Sequence, residues 1–318
     1  MFVKYLSDRW KDRYDYHLNR YAGNTERTER AMRNERFQLQ DSNCTKLEVV
    51  FRNIGFNSES NLGQTKNCDK RQKSFLEDFK IVDLTPSHLE FTYVIGDVYE
   101  FLIERFTSDA GKKAGEFYTS SPIAMLLAAL KNPQPSNRIF DPTCGSGFLW
   151  IKVAQKIGSN NFVMYCQEVN RSIYALVRRN IFLHGMNDVD IRWGDTLNNP
   201  LLQEGYLPMK YDIVEANPSL SLDKWDAEDA PHDGYHCFWR RIPPKSKGDF
   251  AFISHMIEAA NESRGNVDVV VPNGVLFKGA AKGKIRQQLI EDNLLEAVIG
   301  LACQSIFLDG YAYSHHDV

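Results

Sequence analysis

Asp141-Pro142-Thr143-Cys144-Gly145-Ser146-Gly147-Phe148 is the stretch on which the fold turns. It follows a short apolar run, Ile139-Phe140, that reads as a buried strand, and it opens a helix over 148–157. Glycines in such a turn let the backbone approach a ligand closely, and the helix start presents N–H groups that no turn of helix has used. A dinucleotide fold would want a third glycine at position 150. Trp150 stands there instead, which speaks against NAD. Working outward, the chain alternates between strand and helix patterns: strand 162–166, helix 171–184, strands 189–193 and 211–215, helix 250–261, strand 267–271, helix 284–291 and strand 295–299. Ahead of the loop, Ser121-Pro122 opens a helix with proline in its first turn. Residues 97–106 form another, with acids early and Arg105 late, as the helix dipole prefers. Repeated alternation of this kind predicts an α/β, Rossmann-like doubly wound parallel sheet.

Four positions after these strands carry candidate chemistry. The glycine loop itself is the first. Glu168 is the second: it ends the next strand, 21 residues after Gly147, where an acid can accept hydrogen bonds from both hydroxyls of a ribose. Gly194-Asp195-Thr196 follows the third strand. Its carboxylate can accept from an adenine amino group, and a helix-capping role for Asp195 is equally open. Ala216-Asn217-Pro218-Ser219-Leu220 follows the fourth strand. The asparagine amide oxygen and the proline carbonyl can both accept from an amine and hold it for methyl transfer, whereas an Asn-Pro turn with no chemistry is the bland alternative.

Composition bounds these readings. The 318 residues are 43% hydrophobic, 12% aromatic and 25% charged, which fits one large or two ordinary globular domains. No run approaches the ~20 apolar residues of a membrane span, and the first ten residues lack the apolar core of a signal peptide. The six cysteines, Cys44, Cys68, Cys144, Cys166, Cys237 and Cys303, show neither CxxC nor metal-ligand spacing, so no metal site is expected and the pattern suits a reducing cytoplasm. The net charge of -3 is unusual for a chain that grips DNA by itself. Either DNA is not the partner, or another subunit does much of the gripping. Residues 1–36 read as one or two amphipathic helices carrying nine basic and six acidic residues (a net +3), with Phe2, Leu6, Trp10, Tyr14 and Leu18 along one stripe. Residues 38–73 read as loops and short elements.

The order of glycine loop, ribose acid, adenine acid and Asn-Pro matches amino-group DNA methyltransferases. The chain resembles one family of them in particular, the modification subunits of type I restriction–modification systems. The resemblance rests on Gly115-Glu116-Phe117-Tyr118-Thr119-Ser120, on the loop 141–147, on Ser221-Leu222-Asp223-Lys224-Trp225, on residues 242–252 (IPPKSKGDFAF), on 271–277 (VPNGVLF) and on 285–300, and it covers most of residues 1–301. It implies an incomplete N-terminal helical domain over 1–110, an N6-adenine methyltransferase domain over 111–301 and a tail outside the family pattern over 302–318. It also implies S-adenosyl-L-methionine held by Gly115, Glu116, Phe117, Tyr118, Thr119, Ser120, Asp141, Thr143, Gly145, Ser146, Gly147, Glu168, Asp195 and Thr196, with Asn217, Pro218, Ser219 and Leu220 as the catalytic motif. The implied substrate is adenine flipped out of double-stranded DNA. The implied partners are a specificity subunit, a restriction subunit and a second modification subunit in a prokaryotic cytoplasm, with no membrane.

Three departures from the family matter. Its motif is Asn-Pro-Pro-Phe, and Asn217-Pro218-Ser219-Leu220 lacks the aromatic that would stack on the base; Phe250 is a candidate replacement. Met1 falls inside the family's first helical block. The resemblance stops at Leu301, and a one-base shift at codon 302 restores a family-like reading, so a frameshift is expected. The lost apolar run would then be a last strand, leaving 267–271 as an apolar sheet edge. The alternative to a working modification subunit is therefore an inactive remnant that at most binds S-adenosylmethionine or partner subunits. A small-molecule methyltransferase shares the fold but neither the 115–120 stretch nor the Asn-Pro pair.

Overall fold

Ile139 and Phe140 are the middle of β1 (Arg138–Asp141), fully and nearly fully buried, at the centre of a five-stranded sheet in a computed structural model of the chain. The structure describes residues 74, 77–79, 81–85, 94–110, 118–158, 161–186, 188–218, 225, 227–228 and 230–301. The expected N-terminal helices, the loops of 38–73, Gly115 to Phe117, Ser219 to Lys224 and the tail 302–318 lie outside them. Contacts divide the chain into two compact units, one of residues 1–99 with 178–185 and one of 100–177 with 186–318. No described helix is long and apolar enough to cross a membrane.

In the first unit the start of α1 (Val94–Ala110) buries Ile95, and Gly96 lies against the His184 imidazole, where an added Cβ would come within 2.6 Å. Glycine is required there by close approach rather than by φ.

The second unit holds the sheet. Its elements are α2 (Ser121–Lys131), β1, α3 (Phe148–Ile157), β2 (Val163–Glu168), α4 (Arg171–Leu183), whose C-terminal turns belong to the first unit, β3 (Val189–Trp193), β4 (Gln203–Glu204), β5 (Leu207–Pro208), β6 (Ile213–Ala216), α5 (Asp249–Ala259), β7 (Asn266–Val269), α6 (Gly274–Phe277) and α7 (Ala280–Glu291). The large sheet runs β3-β2-β1-β6-β7, parallel throughout. The crossover from β3 to β6 puts the point where strand order reverses at the C-terminal ends of β1 and β6. In open α/β sheets that crevice is where ligands bind.

The alternation read from the sequence recovers β1, α3 and β3 residue for residue or nearly so, and the other helices and strands to within a few residues. Two short elements lacked a periodic signal. One is the antiparallel pair β4–β5, turning through Gly205 at φ 70° and Tyr206; the other is α6. One expected strand is absent. Residues 295–299 join no ladder, and Leu294, Leu295, Val298 and Ile299 are 45–56% exposed. Their apolar pattern is a strand pattern, but a strand is stabilised by its cross-strand neighbours, and none is present among the described residues. β7 is the last strand of the described sheet on that side, as expected for 267–271.

The core lies on both faces of the sheet. Phe140, Tyr211, Val214, Ala216, Met256 and Ala259 pack on one side, with the Phe140 and Tyr211 rings stacked at 4.6 Å. Trp150, where a dinucleotide fold wants glycine, is completely buried in α3. Trp150→Ala is expected to cost about 3–5 kcal/mol, a large share of a typical domain's stability. A drop in the denaturation midpoint with an unchanged slope would show it. A loss below 1 kcal/mol would mean that α3 contributes little to the core.

Candidate functional site

The glycine loop is held by its own backbone and by its neighbours. Gly145 and Gly147 have φ of 55° and 77°, a left-handed conformation that a side chain would strain, and the Gly147 N–H donates to the Cys144 carbonyl at 2.8 Å to close the turn. Asp141, at the end of β1, accepts from the Thr143 N–H at 2.8 Å and is 3% exposed. Thr196 donates its hydroxyl to the Pro142 carbonyl at 2.8 Å, tying the third-strand loop to the glycine loop. Cys144 in the loop and Cys166 on β2 lie side by side with Cα atoms 6.0 Å apart, a proximity that their separation of 22 residues did not suggest. They meet because β1 and β2 run side by side, with Asp141 opposite Cys166.

Glu168 ends β2. One oxygen accepts from Gly145 N–H at 3.2 Å and the other from Asn170 N–H at 2.7 Å. Asn170 in turn caps α4 by accepting from the Ser172 and Ile173 N–H groups. With the Val169 N–H counted as well, three backbone donors share a carboxylate with about four acceptor positions, so capacity for a hydroxyl remains. Asp195 caps a turn over 196–198 and not a helix: Oδ1 accepts from Leu197 and Asn198 N–H, and Oδ2 from the Asn198 amide. Asn198 also reaches the Trp225 carbonyl, and the Trp225 indole donates to the Pro244 carbonyl, so the stretches around 225 and 244 meet beside Asp195.

Asn217 follows β6. Its amide nitrogen donates to the Thr119 hydroxyl at 3.2 Å, across 98 residues. In this orientation Oδ1 is the amide atom left to accept from an amine. Thr119, grouped in the sequence with the cofactor stretch, thus supports the Asn-Pro motif as well. Tyr118 packs at 5.3 Å on Phe148 at the start of α3. Ser120 immediately precedes α2. Phe250 cannot replace the missing aromatic: it is 1% exposed, packed with Ile253, Val275 and Ile285. Its helix period turns it into the core.

Electrostatics favour uncharged acids at the strand ends. Burial, and secondarily the charge of Glu168, push Asp141 up to about 7, against the pull of the Thr143 N–H. Burial raises Glu168 as well, opposed by its backbone donors. Glu215 on β6 is fully buried with neither oxygen partnered, and burial with the neighbouring Asp141 and Asp268 raises it well above the ordinary carboxylate range. Sequence reading missed it; an acid within the apolar run Ile213-Val214-Glu215-Ala216 was its only signal. Burial lowers His255 to about 4, so it is neutral at pH 7.

The linkage signs differ. A carboxyl that stays protonated in the fold binds more protons there than in the unfolded chain, so its stabilisation is present at low pH and lost as pH rises from about 4 to about 7. His255 acts oppositely, losing stability as pH falls from about 6.5 to about 4. The two oppose below pH 6.5, so the carboxyl effect emerges above it. Between pH 6.5 and 7.5 the protein is expected to lose roughly 1 kcal/mol, or about 2–4 °C of Tm, and Asp141→Asn to lose measurably less. Parallel melting curves for the two proteins would refute the assignment.

A parallel sheet with this strand order, a glycine turn after β1, an acid at the tip of β2 and Asn-Pro after β6 defines a Rossmann-like methyltransferase domain. The chain belongs to the N-6 DNA methylase family, whose model matches residues 91–311. It is 31% identical over 267 residues to the type I restriction enzyme MjaVII methylase subunit of Methanocaldococcus jannaschii, covering 80% of this chain and 43% of that one. It is 29% identical over 259 residues to the MpnII methylase subunit of Mycoplasma pneumoniae, covering 77% and 47%. Its structure superposes on the type I restriction–modification methyltransferase subunit of Streptococcus thermophilus with a TM-score of 0.72 and 27% identity, over 91% of this chain and 72% of that one. The chain thus spans about half the length of the curated relatives it matches. The family is one of S-adenosyl-L-methionine-dependent enzymes. The relatives support a modification-subunit role and do not favour the inactive-remnant reading.

Proposed function

We propose that the chain is a modification subunit of a type I restriction–modification system that transfers a methyl group from S-adenosyl-L-methionine to adenine N6 in double-stranded DNA. The observation that carries this reading is Asn217, oriented by Thr119 at the crevice where Asp141, the glycine loop and Glu168 converge. The bound cofactor supplies an electrophilic methyl group. The N–H groups at the glycine turn and the start of α3 would receive its amino-acid end, Glu168 its ribose hydroxyls and Asp195 its adenine amine. Gly115, Glu116, Phe117, Tyr118 and Ser120 would complete that pocket, with Ser146 and Gly147 on the loop.

Asn217 Oδ1 and the Pro218 carbonyl would accept from the two hydrogens of the target amine, fixing its lone pair toward the methyl group and making it more nucleophilic. Ser219 and Leu220 complete the motif, and neither has an aromatic ring to stack on the flipped base. A specificity subunit would read the DNA sequence, a second modification subunit would complete the clamp and a restriction subunit would join them. That division of labour is consistent with a net charge of -3.

The test is transfer of labelled methyl groups to DNA by the chain mixed with a type I specificity subunit, with products resolved as nucleosides. Label should appear in N6-methyladenine, and Asn217→Ala should cut the rate about 100-fold through loss of a group oriented for the transition state. Label in cytosine, or none with the cofactor bound, would sink the reading.

A further inference from the structure

Beside the site lies a row of acids, of which the proposed transfer uses only Asp141. β1 and β6 pair Ile139 with Ile213 and Phe140 with Val214, so Asp141 and Glu215 come next in line, and β6 pairs Glu215 with Asp268 on β7. Neighbouring strands lie about 4.8 Å apart and alternate residues share a face, so the three carboxyls stand side by side across three strands. Asn217 lies two residues on from Glu215, just past the end of β6. The groups facing Glu215 are Asp141 from β1, Asp268 from β7 and Lys131 from the end of α2. Glu168 from β2 faces Asp141. Lys131 pairs with Asp268 at 2.8 Å, while both oxygens of Glu215 and one of Asp268 have no partner. Glu215 is fully buried with no donor to either oxygen, and the lysine nearest it is already paired with Asp268, so Glu215 and its neighbour Asp141 favour their protonated forms.

We propose that this row, with Glu215 acting through Asp141, makes the site select a cationic ligand over its neutral counterpart by giving up a proton when positive charge settles on the glycine loop. The inference rests on the S-adenosylmethionine reading of that loop. The methyl donor carries a positive sulfonium, and the demethylated product, S-adenosylhomocysteine, is the same molecule with a neutral thioether. A positive charge near Asp141 favours its ionised form. The proton passes from the row to buffer and no other bond changes. The neutral product offers no such compensation, so it binds with less proton release. As pH rises toward neutrality the donor gains over the product, which clears the site after each transfer. Because neighbouring carboxyls share their protons, the titration belongs to the row rather than to one residue.

The experiment is calorimetric titration of the chain with each ligand, at pH 6 and 7, in two buffers of different ionisation enthalpy. It is paired with infrared difference spectra of the ligand-free chain against Glu215→Gln. Expected are proton release with the donor exceeding that with the product, and a donor-to-product affinity ratio that rises about threefold or more per pH unit. Glu215→Gln should show a flatter ratio, and its spectrum should lack one protonated-carboxyl band present in the parent. Equal or absent proton release with both ligands bound, or a parent spectrum without that band, overturns this inference alone. A folded chain that binds neither ligand overturns the cofactor reading and this inference with it.

Discussion

Asp141→Ala is expected to weaken S-adenosyl-L-methionine binding roughly 10- to 100-fold while leaving the chain folded. Asp141 holds Thr143 N–H and thereby the start of the glycine loop, and a hydrogen bond to a charged or partly charged group contributes about 1.5–3 kcal/mol. The loop's left-handed glycines keep no fixed shape without such anchors, so the N–H groups at the start of α3 would lose their common aim. Folding should survive, because burying this carboxyl is itself unfavourable: burial is the first cause of its raised proton affinity. Calorimetric titration of both proteins, with circular dichroism as the check on folding, reads the outcome. Unchanged affinity in the variant would place the cofactor elsewhere and remove the basis for the proposed reaction.

The second large effect concerns the altered motif. Restoring the family pattern with Ser219→Pro and Leu220→Phe is expected to raise methyl transfer to adenine about 10- to 100-fold with little change in cofactor affinity. An aromatic stacked on an unpaired base contributes ~1–3 kcal/mol, and each 1.4 kcal/mol felt in the transition state is a factor of about ten. Phe250, the one candidate substitute in the sequence, is committed to the core with Val275 and Ile285, so nothing described takes over the stacking. A rate assay with single and double variants separates the two positions. If neither changes the rate, base stacking is not what limits this chain.

The residues proposed to hold the cofactor could be placed from the sequence because they sit at strand ends, where a period of alternating elements fixes position. Glycines after β1, an acid ending β2 and Asn-Pro after β6 can be placed by counting strands alone. What counting does not reveal is how far-apart residues meet. Thr119 supporting Asn217, Thr196 bonding Pro142, and Cys144 beside Cys166 all depend on strands being neighbours in space.

By itself, then, the sequence determined the alternation of strands and helices, the exclusion of a dinucleotide fold through Trp150, and the family through motifs spread from 115 to 300. These are local patterns, set by periodicity and turn chemistry. Tertiary structure alone decided the strand order β3-β2-β1-β6-β7, the burial of Phe250, the failure of 295–299 to become a strand, and the alignment of Asp141, Glu215 and Asp268 into one row. Each of those depends on which strand lies beside which and in what register. That is set by the packing of the whole sheet and not by any residue's immediate neighbours along the chain.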